Sequence, residues 1–170
     1  MNIKKEQSKP KIIDLTPDHV QAYKAIRLQC LKEAPQAFGS SYSREIAFSQ
    51  EQWIERVSSP YGALAMQAGQ PIGTMSAYIT EESGKTTATI VAVFVAKEAR
   101  GQGLGRQLLN KVIAKLRKIH GDTLNIQLTV NTEQTAAVRL YQKFGFEITA
   151  EETVLLGDGK HHQEYVMKLA

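Results

Sequence analysis

Residues 93–109 read VFVAKEARGQGLGRQLL: an apolar stretch of strand character, a charged turn, glycines at 101, 103 and 105, and the start of a helix. The helix is the most strongly patterned in the chain. From Gly103 to Lys118, Leu104, Leu108, Val112 and Leu116 recur every fourth residue with Leu109 and Ile113 beside them, which gives one apolar face. An alternating strand, Thr123–Val130, comes next. Strand, helix and strand in that order predict a parallel pair joined by a right-handed crossover, here residues 86–95 and 123–130. A chain of 170 residues, 42% of them hydrophobic, has enough apolar surface to cover both faces of a sheet in a single domain without a metal or disulfide staple.

The remaining segments build around that unit. Lys11–Leu15 reads as a short strand, and Thr16-Pro17-Asp18 offers an N-cap, a first-turn proline and an acidic residue, predicting a helix from Pro17 to about Ala34. Pro35–Ser41 reads as a loop, and Ser49-Gln50-Glu51-Gln52 has capping-box spacing for a helix to about Val57. Tyr61–Ala68, Pro71–Thr80 and Thr86–Val95 read as an antiparallel meander with turns at Gly69-Gln70 and 81–85. Gln134–Phe144 is a helix stopped by Gly145, and Phe146–Leu156 and His162–Leu169 are strands joined through Gly157-Asp158-Gly159. The expected fold is therefore α+β, in the mixed α/β sense. It has about seven strands in a mixed, mostly antiparallel sheet, a central parallel pair and about four helices. Residues 1–10 carry Lys4, Lys5, Glu6 and Lys9 without an apolar core and read as a flexible N-terminal arm, leaving 11–170 as the domain.

In sheets with a parallel unit, ligands bind beyond the carboxyl ends of the parallel strands, which points to residues 95–106. Glycines there let backbone N–H groups converge on an anion, and the helix start adds its positive end. Arg100 and Arg106 supply mobile charge. The Walker pattern is absent, and the G-x-G-x-G spacing lacks the extra residue of a dinucleotide fingerprint. The net charge of +4 belongs to the same region: Lys97, Arg100, Arg106, Lys111, Lys115, Arg117 and Lys118 face only Glu98, leaving the rest of the chain slightly acidic. A polyphosphate ligand explains that concentration better than nucleic acid, because no aromatic platform or groove-reading motif accompanies it. No apolar run reaches the about 20 residues of a membrane span. The single Cys30, on a stripe with Tyr23, Ile26 and Ala34, reads as a buried packing residue, and the four histidines form no zinc pattern. A cytoplasmic location is the expectation, with no membrane, nucleic-acid or metal partner.

Arg100-Gly101-Gln102-Gly103-Leu104-Gly105 resembles the acyl-coenzyme A loop, Arg/Gln-x-x-Gly-x-Gly/Ala, of the GNAT superfamily of N-acetyltransferases. The second signature, A-x-x-L-Y-x-x-x-G-F, is matched by Ala137, Leu140, Tyr141, Gly145 and Phe146. The likeness runs from about Ile12 to Leu169 and includes RLQCLKEAPQAFGSS, similar to a recurrent pattern within the superfamily. The resemblance implies an acyltransferase in which an amine attacks acetyl-coenzyme A directly, within a ternary complex. It implies phosphate binding at Arg100, Gly101, Gln102, Gly103, Leu104, Gly105 and Arg106. The pantetheine arm would lie along the backbone of Val93, Phe94 and Val95, with a main-chain N–H near Phe94 or Val95 facing the developing oxyanion. Asn131 matches the family's first asparagine. Gln134 stands where the family commonly has Asn, a longer amide at a pantetheine-contacting position.

Tyr141 is the implied acid for the departing thiolate, whose thiol has a pKa near 8.5. On periodicity alone the same residue is a core residue on a stripe with Ala137, Leu140 and Phe144. The base is not marked by any spacing. Glu33 and Glu45 flank the loop that forms part of the acceptor wall in this superfamily; Glu81 and Glu82 lie in a turn, and all four also suit a solvated surface. Phe38 is an apolar wall candidate, and Tyr42, Phe48 and Trp53 suit the wall and helix packing equally. His161 and His162 read as exposed hairpin residues. The acceptor expected is a small-molecule primary amine. The alternatives are a peptide or protein amine, at an N-terminus or lysine, and a noncatalytic acyl-coenzyme A sensor. A homodimer through the last strands is possible on this pattern.

Overall fold

The computed structural model describes residues 8–170. Residues 1–7 of the expected arm lie outside them. The described part of the arm is tied down: the Ala68 N–H donates to Ser8 Oγ at 2.9 Å, and Gln67 Nε2 donates to the Ser8 carbonyl at 2.9 Å. Seven strands form one sheet. They are β1 (Lys11–Asp14), β2 (Ala63–Gln67), β3 (Gln70–Glu82), β4 (Lys85–Val95), β5 (Asn125–Asn131), β6 (Phe146–Leu155) and β7 (His161–Leu169), arranged β1-β2-β3-β4-β5-β7-β6. Only β4 and β5 are parallel, as the crossover argument predicts, and all other neighbours are antiparallel.

Five α-helices cover the sheet: α1 (Val20–Glu33), α2 (Tyr42–Ile46), α3 (Gln50–Val57), α4 (Leu104–His120) and α5 (Thr135–Phe144). The short α2, capped by Ser41 Oγ accepting from the Arg44 N–H at 3.3 Å, was not legible beside its polar neighbours. The capping box at Ser49 forms as expected, with Gln52 N–H to Ser49 Oγ at 3.3 Å and Ser49 N–H to Gln52 Oε1 at 2.9 Å. The first expected helix divides. Pro17–His19 is a 3-10 turn whose box partner is a histidine, with the Thr16 N–H donating to His19 Nδ1 at 3.2 Å.

Two cores result, one on each face. On one, Leu104, Leu108, Leu109, Val112, Ile113 and Leu116 of α4 are buried against Ala88, Ile90, Ile126, Leu128 and Val130. That helix face alone contributes on the order of 10 kcal/mol of gross hydrophobic stabilisation. On the other face Ile26, Cys30, Leu31 and Trp53 pack on Leu64 and Phe94.

The element that shapes the centre is a bulge in β4. Ala92 has φ 55°, and the pairing with β3 steps from Ser76↔Val91 to Thr74↔Phe94, so β4 carries one extra residue. The side-chain phase inverts across it. Ala88 and Ile90 face α4 before the bulge, whereas Val93 and Val95 do so after it and Phe94 turns to the α1 face. Parallel pairing with β5 ends at Ile90↔Leu128. Beyond that point the two strands separate.

Candidate active site

The separation of β4 and β5 opens a cavity of about 1200 Å³. Its walls are Val91–Val95 of β4, Thr129 and Val130 of β5, the glycine loop, the first turns of α5, and Phe38–Ser40 opposite Val154–Leu156. This exceeds the roughly 300–1,000 Å³ of common small-molecule sites.

At one end, the loop reaches the start of α4. Gly101 and Gly103 have φ of 79° and 73°, a left-handed backbone that L side chains adopt at a cost of roughly 1–2 kcal/mol. A Cβ on Gly101 would meet no atom within 4 Å, and one on Gly103 only Gln107 Nε2 at 3.9 Å. The space in front of both is open to a ligand. The first turn of α4 contains no acidic side chain, so its N–H groups and dipole face that space uncompensated. Gly105 lines the cavity too and also serves packing: its Cβ would lie 3.0 Å from Leu140 Cδ2 of α5. Arg100 and Arg106 line the cavity, and Arg100 Nε donates to the Val95 carbonyl at 3.0 Å. Gln102 is exposed and does not line the wall. Lys111 and Lys115 of the basic stretch turn the other way, with Nζ atoms 3.4 and 2.9 Å from the Asp14 carboxylate on β1.

Tyr141 lines the cavity from α5 and is only 3% exposed, with its ring edge-on to Phe146 at 5.9 Å. Burial alone pushes its phenol above the usual tyrosine range, so it keeps its proton at neutral pH. Tyr141 is thus packed into the core, as its periodicity predicts, while also facing the cavity.

Asn131 occupies the end of β5 and is 1% exposed. Its Nδ2 donates to the Gln36 carbonyl at 3.0 Å and its Oδ1 accepts from the Glu133 N–H at 3.0 Å, so the amide fastens the turn after α1 to the turn before α5. It is not on the cavity wall. Gln134 is, at the N-cap of α5, with no capping bond from its side chain.

Among the acceptor-side candidates, Phe38 lies on the wall beneath the Arg27 guanidinium, 5.2 Å from its ring. Glu45 does not. Its carboxylate is fully buried and accepts from Arg27 Nε at 2.9 Å and Arg27 Nη2 at 2.7 Å, with Arg56 Nη2 at 3.4 Å. Burial raises its pKa, but the Arg27 hydrogen bonds and charge outweigh that and hold it below the ordinary range. Glu33 is exposed, off the wall, and accepts from Gln29 Nε2 at 2.8 Å. His162 is half-buried, with Nε2 2.8 Å from Asp158 Oδ2 within the hairpin, while His161 is exposed.

Three carboxylates absent from the sequence reading reach the cavity, Glu55, Glu133 and Glu164, and only Glu164 is buried. Glu164 on β7 is 7% exposed and lines the wall. Burial raises its pKa; the Thr129 hydroxyl beside it works the other way, and Glu152 adds to the rise. Only the alternation of HHQEYVMKL hinted at its inward position.

Comparison with known proteins decides the family. Residues 27–146 match the Acetyltransferase (GNAT) family profile, well over half of the chain. The chain belongs to the GNAT family. A curated relative of this GNAT protein, an uncharacterized N-acetyltransferase of Methanocaldococcus jannaschii, is 32% identical over 82 residues, covering 46% of the chain and 35% of the relative. The chain thus matches about a third of that relative's length. Among solved structures, a GNAT-family acetyltransferase from Streptococcus pneumoniae superposes with a TM-score of 0.78 at 24% identity, covering 94% of this chain and 98% of that one. A putative acetyltransferase from Salmonella typhimurium, solved with its cofactor acetyl-CoA, gives 0.76 at 19% identity, covering 95% and 94%. Both show the same fold. Among the described residues of this GNAT domain no group of three or more His, Cys, Asp or Glu is placed to hold a metal ion, and no helix is long and apolar enough to cross a membrane.

Proposed function

We propose that this GNAT protein transfers an acetyl group from acetyl-CoA to a small-molecule primary amine by direct attack within a ternary complex. The observation that carries the reading is continuity: one cavity joins the open Gly101–Arg106 loop, the bulged strand β4 and the Tyr141 phenol. Backbone at Gly101 and Gly103 that a Cβ would crowd against a ligand, next to two arginines, suits a diphosphate. With no β5 partner beyond Ile90, the β5-facing edge of Val93–Val95 offers backbone groups to an extended arm and an N–H to a carbonyl oxygen, the Val95 carbonyl alone being taken by Arg100. Gln134 is placed to contribute an amide to the same arm, and Asn131 holds the α5 start from behind the wall. The neutral phenol of Tyr141 supplies the proton for the leaving thiolate.

The preference for a small acceptor rests on the roof. The Gly157 N–H donates to the Phe38 carbonyl at 2.8 Å, closing the β6–β7 hairpin onto the loop after α1. A cytoplasmic location is part of the proposal and rests on the one unpaired, buried thiol. The test is free-thiol release from acetyl-CoA across a panel of primary amines and short peptides. Amine-dependent release with an N-acetylated product supports the reading, and preference for peptides would move the acceptor class to proteins. Tight acetyl-CoA binding with no amine-dependent release would make the protein a sensor.

A further inference from the structure

Catalysis by direct attack requires a group that takes a proton from the acceptor ammonium, since amines have pKa values near 10 and attack only when neutral. Resting on the acetyltransferase reading, we propose that Glu164 is that proton acceptor, reached from the α1 face of the sheet while Tyr141 acts from the α4 face. The two faces are distinguished by the strands themselves. Tyr165, Met167 and Leu169 of β7 and Ile126, Leu128 and Val130 of β5 pack into the α4 core. Glu164 therefore points the opposite way, as does its ladder partner Asn131, whose side chain reaches the turn after α1. The gap between β4 and β5 connects the two faces, and both Glu164 and Tyr141 line it.

A structural purpose does not account for this carboxylate. Buried Glu is ordinarily paired with a cation, as Glu45 is with Arg27. Glu164 is not among the ion pairs of the described residues, and its ladder partner on β6 is another carboxylate, Glu152. The titratable groups acting on it are Glu152 from β6 and His162 two residues before it on β7, while β5 presents the neutral Thr129. The other charged side chains on the cavity wall are Arg27, Glu55, Arg56, Arg100, Arg106 and Glu133. Burial and Glu152 raise the Glu164 pKa above the ordinary carboxylate value, and its position on the wall puts that carboxylate where an acceptor amine could reach it.

The protons balance as follows. One proton of the ammonium passes to the Glu164 carboxylate and on to solvent. The neutral nitrogen forms the C–N bond to the acetyl carbon as the C–S bond breaks. Tyr141 gives its proton to the sulfur, and the second nitrogen proton restores the phenol.

The experiment compares wild type, Glu164→Gln and Glu152→Gln on the best amine of the panel, with acetyl-CoA affinity measured by calorimetry. Glu164→Gln should lower kcat/KM by about 10²-fold or more at neutral pH with acetyl-CoA affinity unchanged, and should abolish the acid limb of the pH–rate profile. Glu152→Gln should keep the limb but displace it to lower pH, which a purely structural Glu164 would not produce. Full activity of Glu164→Gln, or an identical acid limb in it, overturns the assignment while leaving the acetyltransferase reading intact. Absence of amine-dependent thiol release in the wild type removes that reading and this assignment together.

Discussion

At the scale of single residues, burial sets chemistry. Tyr141 carries its proton at neutral pH as any phenol does, and burial raises its pKa further; as the proposed donor to the leaving thiolate, its removal in Tyr141→Phe should lower kcat at least tenfold with little change in acetyl-CoA affinity. Unchanged turnover would reduce Tyr141 to packing against Phe146. Glu164 and Glu45 have opposite pH signatures. Glu45 is held below its unfolded-state pKa by Arg27, so its stabilising effect is present above the unfolded value and is lost as pH falls through the folded one. Glu45→Gln should cost about 3–5 kcal/mol in urea unfolding at neutral pH, because Arg27 is left buried without its partner. The Glu164 pKa is raised, so the native state is penalised above the folded-state value and relieved as pH falls. Glu164→Gln should therefore raise Tm at neutral pH even as activity falls; a lower Tm would mean the carboxylate stabilises the fold. The resemblance to the GNAT signature marked Tyr141, and nothing in the sequence marked this pair. Glu45 and Glu33 looked equivalent, and what separates them is Arg27, 18 positions away from Glu45 along the chain.

At the scale of elements, the strand–loop–helix unit at 93–109 was readable because each part has a local cause: apolar run, left-handed glycines and a four-residue leucine repeat. The bulge at Ala92 was not, since alanine carries no mark of a positive φ and the cause lies in the pairing of β3 with β4. That bulge is what parts β4 from β5. Nor was the inner position of β7 legible, because strand order depends on long-range pairing that alternation does not encode. Two substitutions probe these elements. Gly103→Glu places a carboxylate and a strained backbone at the mouth of the anion cradle, and calorimetry should find acetyl-CoA binding abolished in a folded protein. Gly157→Ala sets a Cβ against the Ser40 carbonyl and pushes the roof apart. It should raise KM for the amine while leaving acetyl-CoA affinity within about twofold, and a loss confined to acetyl-CoA would place the hairpin at the wrong end of the cavity.

Across the whole molecule, charge and edges decide what the protein can associate with. Its basic excess, assigned by sequence to one phosphate site, divides in space: Arg100 and Arg106 line the cavity, while Lys111 and Lys115 hold β1 through Asp14. The outer strand β6 is exposed along nearly its whole length and carries Glu147, Glu151 and Glu152. A homodimer built along that edge would juxtapose these carboxylates, so sedimentation should show association strengthening with ionic strength. A mass insensitive to salt would place any homodimer elsewhere. The catalytic route also has a signature at this scale. Cys30, the one thiol of the chain, is fully buried beside Arg27, and burial pushes its pKa to about 11. It is unsuited to carry an acetyl group between half-reactions. The central claim, direct transfer from acetyl-CoA to amine in one cavity, is tested by initial velocities with both substrates varied. Double-reciprocal lines that intersect are the predicted result, and parallel lines, the mark of an acetylated enzyme, would contradict it.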